Sequence, residues 1–149
     1  MRLFLSFCLV LTFAFPSLAN DGIIRLSSAY SVTATADRLI NLLENKGMTV
    51  FTRIDHAAAA EKVGIALRPT TLIIFGNAKV GSPLMACSQS VGLDLPQKAL
   101  ISQDEKGQVW LSYNDPAYLK DRHQITGCEE VLQKVSGALN KFATGATQK

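Results

Sequence analysis

The stretch from Ile54 to Met85 holds the chain's densest set of chemically capable side chains: Asp55-His56, Arg68-Pro69-Thr70-Thr71 and Gly76-Asn77-Ala78-Lys79-Val80-Gly81-Ser82-Pro83-Leu84-Met85. His56 and His123 are its two histidines. At the start of a helix the dipole favours a neutral imidazole, which can serve as a general base, a ligand or an ordinary hydrogen-bonding group. With Asp94 or Asp115 as orienting carboxylate, His56 would act as the base of a hydrolase-like enzyme. A structural use of His56 outweighs that reading, because Glu61 lies five residues on and no second histidine or carboxylate stands at helical ligand spacing. His123 follows Lys120, Asp121 and Arg122 and reads as solvated.

Gly76 to Ser82 imitates part of a phosphate-binding loop, with glycines five apart between an apolar run and a helix signal. No lysine precedes Ser82, and Pro83 lacks an amide, so Lys79 would have to supply the charge for an anion. A tight connection that needs glycine for its backbone is the plainer account. Asn77, Asp94, Lys98 and Asn114 fall at strand ends, where loops on a rigid sheet collect ligands. Arg68 can grip a carboxylate with its guanidinium fork or pair internally with Asp55 or Asp94, and the internal pair is preferred. Asp115 reads as a helix cap. Met85 and Cys87, with His56 or Cys128, could form a soft copper site, but only if the thiols are free. No nucleophile elbow, metalloprotease helix, Cys-x-x-Cys pair or dinucleotide fingerprint occurs, and no cofactor is expected.

These residues need elements to place them. Ile23, Ile24 and Leu26 suggest a first strand within 20–29. A helix capped by Ser31 or Thr33 follows, with Val32, Ala36, Leu39, Ile40 and Leu43 on one face and Gly47 as its stop. Met48 to Ile54 reads as a second strand. Asp55 caps a helix over 57–63 that Gly64 ends. Thr70 to Phe75 is a continuous β-rich run, expected to be buried on both faces. Ser82-Pro83 is expected to open a short helix, with Ser82 as cap and Pro83 at the first position. Lys98 to Gln103 and Gln108 to Tyr113 flank a hairpin-length loop, with Val109, Leu111 and Tyr113 sharing one face. Asn114-Asp115-Pro116 starts a short helix through Leu119. A last helix from Glu129 to Phe142 aligns Val131, Leu132, Val135, Leu139 and Phe142, and a frayed tail is expected from Gly145. The mixture of helices with a hairpin is an α+β pattern.

Composition limits the function classes. Arg2, the apolar stretch Leu3 to Phe15 and Ser17-Leu18-Ala19 form a leader cleaved after Ala19, so the protein is expected in the periplasm or secreted. An uncleaved anchor is the lesser reading, since the stretch is broken by Ser6 and Thr12 and ends at Pro16. No later run has spanning length, so the mature chain is expected to have no membrane span. With Arg2 removed from the 15 basic residues, 14 oppose 12 acidic ones, without a basic block, which argues against nucleic acid. Cys8 leaves with the leader. Cys87 and Cys128 remain as a pair in an oxidising compartment, and a disulfide between them is expected, with two buried free thiols as the competing state.

The segments Ile54-Asp55-His56, Leu67-Arg68-Pro69-Thr70-Thr71, Ile74-Phe75-Gly76-Asn77, Pro83-Leu84-Met85, Asp94-Leu95-Pro96-Gln97-Lys98 and Tyr113-Asn114-Asp115-Pro116-Ala117-Tyr118-Leu119 resemble, in this order, the domain of unknown function 302 family. The resemblance covers roughly 31–124. It implies a single compact α+β domain with a largely antiparallel sheet packed against helices, and members that form homodimers. It implies no reaction. This chain departs from the family pattern at Ala78, at Cys87 and in an additional cysteine-bearing C-terminal helix. The expected organisation is a leader over 1–19, the domain over 20–143 and a flexible tail over 144–149.

Three functions remain in view. The first is an exported, non-catalytic module that binds a small molecule or anion through His56, Arg68, Asn77, Lys79, Asp94, Lys98 and Asn114. The second is an enzyme using His56. The third is a soft-metal or redox protein using Met85, Cys87 and Cys128. All three need the Asp55-His56 corner and the Gly76 connection to meet at the same rim of the sheet, open to water.

Overall fold

A computed structural model describes residues 22–149, so the leader expected over 1–19 lies outside the described residues. In order, the elements are β1 (Ile23–Ser28), α1 (Val32–Asn45), β2 (Thr49–Asp55), α2 (His56–Glu61), β3 (Thr70–Gly76) and α3 (Ala78–Cys87). A short 3-10 turn (Gln89–Leu93) leads to β4 (Gln97–Gln103), β5 (Val109–Asn114), α4 (Pro116–Arg122) and α5 (Glu129–Thr147). The five strands form one sheet in the order β1-β5-β4-β3-β2, with every neighbouring pair antiparallel. This is the α+β architecture that the hairpin and the family resemblance implied.

Local chemistry starts most elements where the sequence places them. Ser31 accepts from the Ala34 amide at the head of α1, and Asp55 accepts from the Ala58 amide at the head of α2. Asp115 accepts from the Ala117 amide at α4, where Pro116 takes the first helical position. Gly47 and Gly64 follow α1 and α2 with φ of 70° and 75°, a backbone state open to glycine at no steric cost. The α1 stripe buries Val32, Ala36, Leu39 and Leu43 against Ile73, Phe75, Ala99, Ile101 and Leu111 of the sheet. Full burial of each Leu, Ile or Phe here contributes about 1.5–3 kcal/mol. Helix α5 packs beside α1 on the same face through Val135, Leu139 and Ala143.

Three expectations change. First, β3 is not buried on both faces: Thr71, Ile73 and Phe75 are buried, while Thr70, Leu72 and Ile74 are half-buried. The two long helices share one side of the sheet, and the other face, with Leu100 and Trp110, stays half-exposed. Second, α3 begins at Ala78 and not after Ser82. The Asn77 carboxamide oxygen accepts from the Lys79 amide and caps the helix five residues early, leaving Pro83 inside it. Asn is among the strongest caps, and a helix this short tolerates one missing amide. Third, the C-terminus does not fray at Gly145. Helix α5 runs to Thr147, with Ala146 and Thr147 buried. Arg38 of α1 is the cause: its Nε donates to Ala146 O at 3.1 Å, and its Nη2 donates to Gly145 O at 2.9 Å and Gln148 O at 3.0 Å. One guanidinium thus takes up carbonyls that the last turn leaves open, while stacking 4.2 Å over the Tyr30 ring.

Cys87, at the end of α3, and Cys128, at the N-cap of α5, form a disulfide across 41 residues of chain. Closing a loop of that length removes chain entropy from the unfolded state. Cys87→Ser/Cys128→Ser should therefore lower unfolding free energy by about 4 kcal/mol in urea titrations. Free-thiol titration of the denatured, unreduced mature protein should count zero.

The β4–β5 turn yields a pH prediction. Trp110 Nε1 donates to Asp104 Oδ2 at 2.9 Å, and the Lys106 and Gln108 amides donate to Oδ1, each at 2.9 Å. The indole bond first, with the backbone amides behind it, holds the Asp104 carboxyl below its ordinary 3.8. A depressed folded-state pKa stabilises the fold above pH 3.8 and loses that effect as pH falls through the lower folded value. Asp104→Asn should therefore flatten the acid limb of stability below about pH 4. The fluorescence of Trp110, the chain's single tryptophan, should shift with it.

Candidate functional site

The sheet register decides which candidate residues can meet. Asp55 pairs with Thr71 and Thr49 with Gly76, so the Asp55-His56 corner and the Gly76-Asn77 connection sit at opposite ends of β2 and β3. At about 3.3 Å per residue these ends are roughly 20 Å apart. The shared rim does not form. Asn77, Lys79, Asp94, Lys98, Asn114 and Asp115 belong to the Gly76 end, and His56 and Arg68 to the other.

Most of these side chains are already engaged. Arg68 Nε donates to Gln103 O at 3.1 Å, and its guanidinium lies 3.9 Å from Glu105 instead of pairing with Asp55 or Asp94. Lys98 Nζ donates to the Asp94 and Pro96 carbonyls at 2.8 and 3.0 Å, bracing the connection into β4. Asn77 Nδ2 donates to Gly47 O at 3.1 Å, while its oxygen caps α3. Asn114 pairs with Ile23 at the end of β5. Lys79 is exposed on the first turn of α3, so Gly76 to Ser82 is a helix start and not an open anion loop. His56 is exposed and receives neither Asp94 nor Asp115, which removes the carboxylate that its general-base role needs. With Cys87 and Cys128 joined, neither supplies a thiolate, and Met85 faces a cavity.

Asp94 is instead the partner of His123. The imidazole, expected on the surface, is buried: Nε2 meets Asp94 Oδ2 at 2.5 Å and Nδ1 meets Ser90 Oγ at 3.0 Å. Arg122 Nε stands 3.5 Å from the same carboxylate, and Ser88 Oγ donates to His123 O at 2.8 Å. The order serine, histidine, carboxylate imitates a hydrolase relay, but none of the three lines the main cavity. They clasp the end of α4 to the 3-10 turn. Tyr113 offers no base either, since burial and then the Asp115 charge push its phenol above 10.0.

That cavity has a volume of 490 Å³ and opens beside the Gly76 end of the sheet, on the helix-covered face. Phe75 and Gln97, paired across β3 and β4, form its floor. Leu84 and Met85 of α3 make one wall, and Val135, Leu139 and Phe142 of α5 another. Met48, Phe51 and Leu95 close the sides. A Cβ at Gly76 would stand 3.4 Å from both Phe51 and Pro96, so the strand end is closely packed at the cavity rim. Lys134 is the one charged lining residue. Of the expected ligand residues only Asn77 touches this space. The sequence signal for the cavity lay in α5: Val135, Ala138, Leu139 and Phe142 fall at helical spacing and read equally well as core.

Comparison with known proteins follows the fold. The family model described as "Domain of unknown function DUF302" matches residues 24–142. Two proteins named fluoride-specific ion channel FluC 1 are each 41% identical over 133 residues, or 87% of this chain. They come from Brucella suis biovar 1 (strain 1330) and Brucella abortus biovar 1 (strain 9-941), and the match covers 52% and 49% of their own lengths. The chain therefore spans about half the length of the curated relatives it matches. Among the described residues no helix is long and apolar enough to cross a membrane. The crystal structure of an uncharacterised conserved DUF302 protein from Bacillus stearothermophilus aligns with a TM-score of 0.76 over 85% of this chain and 98% of that one. Its 16% identity speaks for the fold alone. With the family model spanning most of the sheet and helices described above, the chain belongs to the DUF302 family, whose function is not known.

Proposed function

We propose that this protein is an exported, non-catalytic module that binds a small, largely apolar molecule in the cavity between α3, α5 and the floor of the sheet. The observation that carries this reading is the cavity itself: 490 Å³, apolar on nearly every side and open to solvent. Small-molecule sites have about 300–1,000 Å³ and mostly hydrophobic walls with a few polar groups. Catalysis finds less support, because Asp94, Asp115, Lys98 and His123 are committed to caps, carbonyls and one another. The leader signal at Arg2 to Ala19 and the Cys87–Cys128 disulfide support export. The homodimer implied by the family resemblance has a surface to use in the half-exposed sheet face with Leu72, Ile74, Leu100 and Trp110.

A second reading has one observation behind it, the shared half of relatives named as fluoride channels. In it the module binds a small anion, with Lys79 and Lys134 as cations near the cavity. Stabilisation by fluoride in a thermal-shift screen, lost in Lys79→Met/Lys134→Met, would favour it.

The apolar reading is tested with N-phenyl-1-naphthylamine, a neutral dye that brightens in apolar sites. Its fluorescence should rise saturably with the protein. At 100 times its Kd the dye should stabilise the fold by about 2.7 kcal/mol. Ala138→Trp, on the exposed flank of α5 facing the cavity, should fill the space and abolish both effects while leaving the far-ultraviolet circular dichroism unchanged. A dye signal that Ala138→Trp does not alter would show that the cavity is not the site.

A further inference from the structure

We infer that the ligand is a neutral molecule with an apolar body and one hydroxyl or carbonyl group, and that this group pairs with the side-chain amide of Gln97 on the cavity floor. The inference rests on the cavity reading above and adds the chemistry of the occupant. Gln97 is 8% exposed and pairs with Phe75 across the strands, so both side chains project from the helix-covered face into the same space. Among the described residues its amide has no hydrogen-bonding partner, while its polar neighbours do: Asn77 holds Gly47 and Lys79, Lys98 holds two carbonyls and Asp94 holds His123. No buried side-chain nitrogen or oxygen among the described residues lacks a partner, so the Gln97 amide is open to the cavity, where a guest with a complementary group can pair with its donor or its acceptor.

The surroundings restrict the guest further. Phe75, Leu84, Val135 and Leu139 are all buried and apolar, so whatever lies against them is apolar too. The floor holds no cation, and the charged lining residue, Lys134, is a solvent-exposed residue of α5. A carboxylate or phosphate at Gln97 would lose its water with no counter-charge in return. A neutral hydroxyl or carbonyl loses far less and gains the amide. Both lone-pair acceptor and N–H donor are present, so Gln97 can receive from a hydroxyl or give to a carbonyl.

Isothermal titration calorimetry of the mature, oxidised protein with 4-ethylphenol, ethylbenzene and 4-ethylbenzoate tests this. The expected order places 4-ethylphenol ahead of ethylbenzene by about tenfold, the worth of one well-made neutral hydrogen bond, with 4-ethylbenzoate last. Gln97→Leu should erase the preference for the phenol and retain ethylbenzene binding. Gln97→Met serves as a second variant should the leucine protein fail to fold. Equal affinity for the phenol and the hydrocarbon in the unaltered protein overturns the inference while the cavity reading stands. Strongest binding by the benzoate, lost in Lys134→Met, overturns it in favour of an anionic guest. Binding of N-phenyl-1-naphthylamine without any of the three also overturns it, and failure of the dye as well removes the cavity reading beneath it.

Discussion

A five-stranded antiparallel sheet is wider than two helices can cover, and both long helices of this chain lie on the same face of it. Helices pack about 8–10 Å apart; α1 lies mainly over β2, β3 and β4, and α5 beside it reaches the edge strand β1. Beside α5 lies α3, a ten-residue helix with a proline inside it. Only Leu84 of α3 is buried, so this third helix contacts the core at one point and stands off elsewhere. The space beneath it is the cavity. The disulfide from the end of α3 to the start of α5 holds the stand-off at one end, and Asn77, bonded to Gly47, holds the other. The short helix is thus tied near both ends and buries one residue, Leu84, beside the cavity.

Much of the frame was legible because local chemistry sets it. Asp55, Ser31 and Asp115 are caps in sequence and in structure, and the alternation Val109, Leu111, Tyr113 faces inward as period two requires. The structure departs from local signals where two of them compete or where a distant partner decides. Asn77 and Ser82-Pro83 are both respectable helix starts, and only the chain geometry after Gly76 selects the first. Arg38 appears in sequence as one more solvent-facing residue of α1. Nothing local reveals that it reaches across more than a hundred residues to tie down the end of α5.

The candidate site was less legible, for a topological reason. Polar residues at strand ends look equivalent along the chain, but in an antiparallel sheet successive ends alternate between opposite rims. Asp55-His56 ends β2 and Asn77 follows β3, so their separation by one strand guarantees opposite rims. That deduction required knowing that β2 and β3 pair directly and antiparallel, which the hairpin of β4 and β5 alone did not establish. The register of one strand pair therefore dissolves a site that composition had assembled.

What remains after that correction is a division of labour among polar groups. At the Gly76 end of the sheet the aspartates, the lysine beside them and the buried histidine spend their hydrogen bonds on caps, carbonyls and each other. Buried polar groups in folded proteins are paired as a rule, and this rim follows it closely. Pairing of that kind fixes loops; it also removes those groups from chemistry, because a general base must be free to take a proton from a substrate. Gln97 differs in having no side-chain partner among the described residues: its amide is open to the 490 Å³ cavity, and it carries no charge to transfer and no nucleophile. An uncharged amide facing apolar walls is suited to holding a neutral polar group in place, which is the chemistry the proposed binding reading asks of it.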